Sequence, residues 1–369
     1  MSLSKVFLLT RFEDMPGWTE DAGLPEALLA FARCGAHAEQ RTYRTGGLGV
    51  AFDSFAAAYA EARRLEHPVG LQTAQDFFLR HFSPFYVQAD AGERGFVTAY
   101  YEPEAEASPV RTEQFTVPLY RRPDDLIDID DHNRPEGFDP YFAFARREGG
   151  TLRPYHDRQA IDSGALEGEG LELCWLTDRV DAFFIHVQGA ARFTMTDGSR
   201  MRLTYAAKTG HRFTGIGRYL ADMGEIPPEG VTMQSIRAWL AANPHRQDEI
   251  LWKDRSYIFF RETPLGDPEL GPIAAAKVQL QPGRSIAVDR LLHTFGTPFF
   301  IHAPEIQHVD GRPFSRLMIA QDTGSAITGS ARADLFIGTG AQAGEIAGTI
   351  RHSADFYALL PRSLVGAEP

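Results

Sequence analysis

The chain has 369 residues, of which 43% are hydrophobic and 23% are charged. This length and composition are typical of a soluble globular protein with about two domains, and they argue against a disordered chain. A net charge of −12 and the absence of any basic run argue against a protein that tracks nucleic-acid phosphates. No stretch of the sequence approaches the roughly 20 apolar residues that a membrane span needs.

The cysteine content and the chain start bear on cellular context. Cys34 and Cys174 are the only cysteines, so neither a disulfide framework nor a cysteine metal site is available. We expect two lone buried thiols, and one bridge between them is the alternative. The opening, Met-Ser-Leu-Ser-Lys-Val-Phe-Leu-Leu-Thr-Arg, has an apolar patch too short for a signal h-region and lacks a small-residue cleavage site. These features predict either a cytosolic protein or one whose targeting segment is not part of this sequence.

Helices are predicted in the N-terminal part of the chain. Pro25 stands at the start of the first helix and Gly35 is expected to end it. Asp53 or Ser54 is expected to cap the second helix. The aromatic residues of the third helix are interpreted as core residues. The predicted helical ranges are about 24–34, 54–65 and 74–82.

A strand is predicted to begin at Gly95, where β-forming residues alternate. Thr98, Tyr100 and Tyr101 give this strand a polar and aromatic face. Stacked tyrosines can bind the C–H face of a pyranose ring, so these residues are candidates for substrate binding. A pair of tyrosines is nevertheless more often part of a core or an interface.

The middle of the chain is predicted to be a small β domain over about 105–215. Loop signals dominate 105–170, and buried strands are predicted over 171–176 and 182–187. A hairpin follows over 193–205, with Asp197-Gly198 as its turn. Polar residues at the ends of the predicted strands are candidate substrate-binding groups, and they are Gln188, Gly189 and Lys208.

Two helices and then mostly strands are predicted for the rest of the chain. The helices are expected over 216–223 and 233–242, the latter capped by Thr232. A last helix is expected to begin near Ala341. The predicted strands cover 286–288, 298–301, 316–320, 335–337 and 356–360.

This order of elements predicts a discontinuous architecture. Residues 1–104 and 240–369 are expected to form one domain, interrupted by an inserted β domain over 105–239. A ligand is expected in a groove between the two domains, where clefts commonly form.

Aspartates at strand ends are the strongest candidates for chemistry. Asp322 ends a buried strand at an Asp-Thr-Gly turn, so turn amides and hydroxyls are expected to keep it ionised. Asp334 has apolar neighbours, so burial is expected to raise its pKa toward the range of an acid/base catalyst. Asp289 is a third acid at a strand end. Each aspartate taken alone is more often a turn cap or a solvated side chain.

Other chemistries fit the sequence poorly. The segment Gly338-Thr-Gly-Ala-Gln-Ala-Gly344 approaches a dinucleotide fingerprint, but its third glycine is one residue late. The twelve histidines include no His-Glu-x-x-His motif and no compact cluster with acids, so no metal is expected. No Gly-x-Ser-x-Gly elbow appears either. Carboxylate chemistry without a cofactor remains.

Several blocks together resemble the MltA family, the membrane-bound lytic murein transglycosylase A of Gram-negative bacteria. The resemblance covers nearly the whole chain after about residue 40. The blocks that carry it are Thr98-Ala-Tyr-Tyr, His186-Val-Gln-Gly, Tyr205-Ala-Ala-Lys-Thr-Gly-His, Ala287-Val-Asp-Arg, Ala320-Gln-Asp-Thr-Gly-Ser-Ala-Ile and Arg332-Ala-Asp-Leu-Phe.

The resemblance implies a mainly β protein with peripheral helices. Its first domain would be a double-psi β-barrel, interrupted by an inserted second β-barrel-like domain, with a cleft between the two. The C-terminal 3D region, about 284–360, would carry Asp289, Asp322 and Asp334. By analogy with the family, Asp334 is the single catalytic acid/base and Asp322 lies beside it.

The family reaction cleaves the β-1,4 bond between N-acetylmuramic acid and N-acetylglucosamine in peptidoglycan without water, giving a 1,6-anhydro product. The partners implied are glycan strands, with no nucleic acid. Members are usually lipoproteins that face the periplasm from the outer membrane, whereas this chain shows neither signal peptide nor lipobox cysteine.

Two alternatives to this function remain open. A hydrolytic β-glycanase on the same barrel would use Asp334 as acid and either Asp289 or Asp322 as base. A wall-binding protein resembling expansins would bind glycan without cleaving it.

Overall fold

A computed structural model describes residues 3–66, 68–89 and 94–365, and it is rich in β-sheet with helices interspersed. The strands are β1 Phe7–Leu9, β2 Phe82–Val87, β3 Gly95–Glu102, β4 Glu104–Ala107, β5 Val117–Tyr120, β6 Leu126–Asp128, β7 Phe144–Glu148, β8 Thr151–Arg153, β9 Glu172–Leu176, β10 Ala190–Met195, β11 Arg200–Lys208, β12 Ile258–Glu262, β13 Ser285–Val288, β14 Pro298–Ala303, β15 Phe314–Asp322, β16 Arg332–Thr339 and β17 Arg351–Pro361. The helices are α1 Leu24–Ala38, α2 Ala56–Ala62, α3 Leu71–His81, α4 Arg158–Asp162, α5 Arg179–Gln188, α6 Ile216–Asp222, α7 Met233–Ala242, α8 Gln247–Leu251 and α9 Ala341–Ala347.

The chain divides into two compact units. The barrel unit comprises residues 1–101 and 266–369, and the inserted unit comprises residues 102–265. The second boundary therefore lies well after the predicted position of 240. Because β12 pairs with β11, the segment that leads to β12 belongs to the inserted unit.

The barrel unit is built on a sheet that closes on itself. Within the described residues, eight strands follow the order β1-β2-β17-β14-β15-β13-β16-β3, and β3 also pairs with β17. The long strand β17 contacts β2 through its C-terminal half and β3 through its N-terminal half. Six strands, from β17 round to β3, therefore form a closed ring. The strands predicted in the C-terminal part are confirmed.

The N-terminal helices of the barrel unit differ from their predicted bounds. Helix α1 continues to Ala38, so Gly35 lies inside it rather than ending it. Gly35 has a packing role there, because an added Cβ would lie 2.8 Å from the Tyr59 ring. Neither Asp53 nor Ser54 caps the second helix through its side chain. Strand β2, which follows α3 directly, was not predicted from the sequence.

A buried ion pair joins the N-terminal segment to the sheet. Asp21 accepts hydrogen bonds from both terminal nitrogens of Arg284, at 2.8 and 2.7 Å. The same carboxylate accepts from the backbone amides of Leu317 at 2.7 Å and Gly23 at 3.1 Å. Asp21 and Arg284 are 5% and 8% exposed. Each charge is therefore removed from water and depends on the other for its compensation.

The inserted unit contains several smaller sheets. The strands form one sheet of order β12-β11-β10-β4, a pair β5-β9 and a three-stranded sheet β6-β7-β8. The predicted hairpin is confirmed as β10 and β11, and Thr232 caps α7 as predicted. The segment 105–170, predicted to be irregular, contains short strands and α4.

The strand predicted over 182–187 is wrong, because this segment is helix α5. Asp178 caps the helix by accepting hydrogen bonds from the amides of Val180 at 2.7 Å and Asp181 at 2.9 Å. Gly189 ends it in the left-handed conformation with φ 77°. The valine, isoleucine and phenylalanine content favoured a strand. The caps at both ends and the burial of one helical face stabilise a helix instead.

The two cysteines and the lengths of the helices bear on the predictions made for the whole chain. Cys34 and Cys174 are both free and buried, as predicted. In the parts of the chain that the structure describes, no helix is both long and apolar enough to cross a membrane.

The Asp21→Asn substitution should lower the free energy of unfolding by about 3–5 kcal/mol, because it leaves Arg284 buried without its counter-charge. Denaturant titration followed by circular dichroism measures this change. The matched control is Glu39→Gln, which removes an exposed partner of Arg63 at 3.0 Å and should cost at most about 1 kcal/mol. Equal effects of the two substitutions would refute the importance of the buried pair.

Candidate active site

Two of the three predicted aspartates lie on strands that flank β13. Ala287 of β13 is the register partner of Asp322 in β15 on one side and of Asp334 in β16 on the other. Residues in register on neighbouring strands lie side by side across a sheet. The closed sheet therefore brings these two acids together from separate strands.

Asp334 is held by a short chain of polar groups. The Thr98 hydroxyl donates a hydrogen bond to Asp334 Oδ1, and Arg332 Nη2 donates to the same hydroxyl at 2.7 Å. A guanidinium has donors only, so Thr98 must accept from Arg332 and direct its single proton to Asp334. Asp334 Oδ2 has no hydrogen-bond partner among the described residues. That oxygen is therefore the one left free to carry a transferable proton.

Asp322 is held by different groups. Its Oδ2 accepts from the Tyr100 hydroxyl at 3.0 Å, and its Oδ1 accepts from the Ala275 amide at 3.2 Å. The Tyr100 ring packs against Phe336 with 5.3 Å between centroids. Burial and the nearby Asp322 and Asp334 raise the pKa of Tyr100 well above its ordinary value, so this hydroxyl stays a neutral donor.

Burial raises the pKa of both carboxyl groups above the ordinary value. For Asp334, desolvation outweighs the opposing effects of Arg332 and the Thr98 hydrogen bond, as predicted. For Asp322, desolvation outweighs the hydrogen bonds from Thr323, Ala275 and Tyr100, and the negative charge of Asp334 raises the pKa further. The donors to Asp322 lower its pKa, as the sequence predicted, but the effect of desolvation is larger. The site favours states with fewer than two negative charges.

The third predicted aspartate, Asp289, is occupied by turn contacts. Its two carboxylate oxygens accept from the amides of Leu291 at 3.0 Å and Gly329 at 3.1 Å. Its carbonyl oxygen also accepts from Leu292 and His293. Asp289 thus shapes the loop after β13, and within the described residues its side-chain hydrogen bonds go to Leu291 and Gly329 rather than to the other two aspartates.

The two tyrosines of β3 do not form one exposed surface. Successive side chains of a strand point to opposite faces, so Thr98 and Tyr100 share a face and Tyr101 takes the other. Tyr101 is 8% exposed, and an added Cβ on Gly344 of α9 would lie 2.9 Å from its ring. The structure brings Tyr100, and not Tyr101, to the aspartates.

The other candidates belong to the inserted unit. Gln188 is the last residue of α5 and Gly189 caps that helix, so neither ends a strand as predicted. Lys208 does end strand β11, and its ammonium lies 5.2 Å from the centre of the Tyr141 ring.

Arg332 is a site residue that the sequence analysis did not select. It lies two positions before Asp334 in β16 and therefore on the same face of that strand. Its guanidinium also lies 5.3 Å from the centre of the Phe96 ring. The two-residue spacing was the available signal, and it gains meaning only once residue 334 is placed in a strand.

Within the described ranges, no group of three or more His, Cys, Asp or Glu side chains is arranged to hold a metal ion. The arrangement supports proton transfer by the desolvated carboxyl group of Asp334, whose Oδ1 is fixed by the Thr98 hydroxyl.

Known proteins are similar to this chain in sequence and in fold. The MltA specific insert domain matches residues 96–261, and the 3D domain matches residues 284–360. The crystal structure of membrane-bound lytic murein transglycosylase from Agrobacterium tumefaciens is similar with TM-score 0.91 and 49% identity, covering 97% of this chain and 98% of that one. The monoclinic form of MltA from Neisseria gonorrhoeae is similar with TM-score 0.77 and 33% identity, covering 98% and 94%.

A curated relative is the membrane-bound lytic murein transglycosylase A of Escherichia coli strain K12. It is 30% identical over 268 residues, which is 71% of this chain. The match spans 64% of the length of that relative.

Asp334→Asn should stabilise the protein at neutral pH. The raised pKa means that the native state binds the Asp334 proton more tightly than the unfolded state, whose aspartates have a pKa of about 3.9. Stability contributed by this carboxyl is therefore lost as the pH rises above that value. Asparagine keeps the Oδ1 acceptor for Thr98 and carries no charge.

Thermal unfolding of the wild type and Asp334→Asn, followed across pH, measures the difference. The variant should have the higher midpoint at pH 7, and the gap should close as the pH falls below about 4. Asp310→Asn, at an exposed ion pair with Arg316, is the control and should show no such trend. A constant gap at all pH values would contradict the assignment.

Proposed function

Because this chain belongs to the MltA family, we propose that it is a lytic transglycosylase of peptidoglycan. It cleaves the β-1,4 bond between N-acetylmuramic acid and N-acetylglucosamine without water and releases 1,6-anhydro products. The observation that carries this proposal is the desolvated Asp334 with its fixed Thr98 donor and its free Oδ2. We further assign the closed six-stranded ring of the barrel unit to a double-psi β-barrel.

Asp334 acts first as the acid and then as the base. Oδ2–H protonates the glycosidic oxygen while the bond from that oxygen to C1 of the muramyl sugar breaks through an oxocarbenium-like state. The resulting carboxylate removes the proton of the muramyl C6 hydroxyl. The hydroxyl oxygen then bonds to C1, which closes the anhydro ring and returns the proton to Asp334. No proton is gained or lost over the cycle.

Arg332, Thr98 and Asp322 support this residue. Arg332 fixes the Thr98 hydroxyl, which in turn fixes the carboxyl plane of Asp334. Asp322 is held by Tyr100, and the charge of Asp334 raises the pKa of Asp322, so two negative charges at once are disfavoured in this site. We assign glycan contacts to Tyr100 and, in the inserted unit, to Gln188, Gly189 and Lys208.

The alternatives gain less support from the geometry. A hydrolase needs a second ionised carboxylate to activate water, and Asp289 already accepts two backbone hydrogen bonds. Asp322 is the remaining candidate for that base. A binding protein without turnover has no need for a buried acid with a raised pKa, because burial of a titratable group costs stability.

The cellular setting follows from the family. We propose a periplasmic enzyme attached to the outer membrane, acting on glycan strands. The net charge of −12 accords with a substrate other than nucleic acid.

Digestion of purified sacculi followed by mass spectrometry tests the reaction. The wild type should release muropeptides one water lighter than hydrolytic products. Asp334→Asn should reduce their rate of release by about 100- to 10,000-fold, the usual contribution of general acid–base catalysis. Asp310→Asn is the matched control and should retain activity.

Other products would decide against the proposal. Reducing-end sugars would identify a hydrolase. Binding to sacculi without release of any product would support the expansin-like alternative.

Thr98→Val should slow the reaction by roughly 10- to 100-fold, because it removes a hydrogen bond to the reacting carboxyl. That hydrogen bond lowers the pKa of Asp334. Its loss should therefore move the alkaline limb of the pH–rate profile to higher pH. Thr98→Ser keeps a hydroxyl and should restore both rate and profile, whereas an unshifted profile for Thr98→Val would show that Thr98 does not act through Asp334.

A further inference from the structure

The inserted unit contains a cavity that the proposed reaction does not use. Its volume is about 350 Å³, which falls in the range of pockets that hold small ligands. The walls include the aromatic side chains of Tyr120, Trp175, Phe183 and Tyr257. All lining residues belong to the inserted unit, whereas Asp322 and Asp334 belong to the barrel unit.

A buried histidine at this cavity lacks one hydrogen-bond partner. His186 is 3% exposed, and its Nδ1 lies 2.9 Å from Arg158 Nη1. Since arginine only donates, Nδ1 must be the acceptor and the ring proton must reside on Nε2. That Nε2 has no hydrogen-bond partner among the described residues. A buried N–H donor without an acceptor costs free energy, which a ligand oxygen can recover.

The neutral state of His186 is enforced by its surroundings. Burial and the adjacent Arg158 charge hold the pKa of His186 well below its ordinary value. Arg158 is itself fixed, because it donates to the carbonyl oxygens of Asp254 at 3.0 Å and Ser256 at 2.6 Å. His186 therefore presents one fixed, uncharged donor at the cavity.

Two carboxylates at the cavity are incompletely paired. Glu172 is half-buried and makes no side-chain hydrogen bond or ion pair within the described residues. Burial and the nearby Glu172 charge raise the pKa of Tyr120 to about 12. Asp162 accepts from Trp252 Nε1 at 3.1 Å, and its nearest cation, Arg179, stands 3.9 Å away. Both acids can accept hydrogen bonds from an ammonium group.

A cation at the cavity is also weakly engaged. Arg111 lies 3.5 Å from the exposed Glu167 and 5.6 Å from the centre of the Trp175 ring. The charged lining residues balance, with three arginines against three acids: Arg111, Arg158 and Arg179 against Asp162, Glu167 and Glu172. Arg158 and Arg179 already pair with carboxylates outside the lining, Asp254 and Asp248. Arg111 and the two incompletely paired acids therefore remain to contact a ligand, and a ligand with both charges can pair with each.

We propose that this cavity binds a small zwitterion whose ammonium pairs with Glu172 and whose carboxylate or carbonyl oxygen accepts from His186 Nε2–H. Aromatic walls enclose the aliphatic part of the ligand. Given the proposed function, on which this identification of the ligand rests, the matching group in peptidoglycan is the free amino-acid end of a diamino acid in the peptides that branch from the glycan. The inserted unit would then bind the peptide, and the barrel unit would cleave the glycan.

Nuclear magnetic resonance titration of the full chain tests this proposal with three related probes. Diaminopimelic acid carries both charges, pimelic acid lacks the ammonium groups, and 1,5-diaminopentane lacks the carboxylates. Diaminopimelic acid should bind with saturation. Pimelic acid and 1,5-diaminopentane, which each carry charges of one sign only, should bind at least about tenfold more weakly, as expected for loss of a charge-assisted hydrogen bond.

Variants locate the site. Glu172→Gln should weaken diaminopimelic acid at least about tenfold, whereas Glu113→Gln, at an exposed glutamate outside the lining, should leave its affinity unchanged. Equal affinity for the three probes, absence of saturation, or an unchanged affinity in Glu172→Gln would overturn the proposal. Should Glu172→Gln fail to fold, the probe series on the wild type still decides it.

The outcome is separable from the lytic activity. Binding is measured without turnover, so anhydro products with no zwitterion binding would refute this inference alone. Zwitterion binding with only hydrolytic products would refute the lytic reaction alone.

Discussion

Closure of the sheet is the constraint on which the candidate site depends. Strand β17 pairs with β14 along one edge and with β3 along the other, so β3 becomes the neighbour of β16. The pairing of β3 with β16 brings Thr98 within reach of Asp334, although the two lie 236 positions apart in sequence. The same closure places Tyr100 on Asp322. Any change that separates β3 from β16 should therefore disturb both carboxylates at once.

The buried carboxyl groups of Asp322 and Asp334 lower the stability of the barrel unit when they are ionised. Desolvation penalises their charged forms, and their hydrogen bonds offset that penalty only in part. Elsewhere in the same unit, the buried Asp21 has a bidentate arginine and two backbone amides. Hydrogen bonds and an arginine thus offset the desolvation cost of the structural carboxylate Asp21. The desolvation cost of Asp322 and Asp334 is offset only in part, as is common at functional sites.

Sequence patterns located the barrel strands well because their apolar runs are long and bounded by turn signals. Runs around Ile286, Phe299, Leu317 and Phe336 each became a buried strand. The same reasoning failed over 179–188, where β-forming residues face the interior of a helix whose caps, Asp178 and Gly189, were present in the sequence. Local composition could not outweigh the tertiary packing that buries one helical face.

The sequence indicated which residue types form the candidate site, but it indicated the pKa shifts of the two aspartates only in part. The apolar neighbours of Asp334 correctly indicated a raised pKa. The turn residues after Asp322 indicated only the hydrogen bonds that lower its pKa, because the sequence could not reveal the burial and the proximity of Asp334 that raise it. Arg332 escaped notice because its role passes through Thr98, on a strand that local sequence does not connect to it.

The coupling between the two acids supplies the one proton that the proposed mechanism needs. Two ionised carboxylates in one desolvated site repel each other, so the site tends to retain a proton. A hydrolase with an acid and a separate base needs one carboxyl protonated and the other ionised at the same moment, with room for water between them. A reaction whose nucleophile belongs to the substrate needs only the retained proton, moved off Asp334 and back again. Burial raises the pKa of Asp322 as well, so Asp322 helps to keep one proton in the site beside the single acid/base residue.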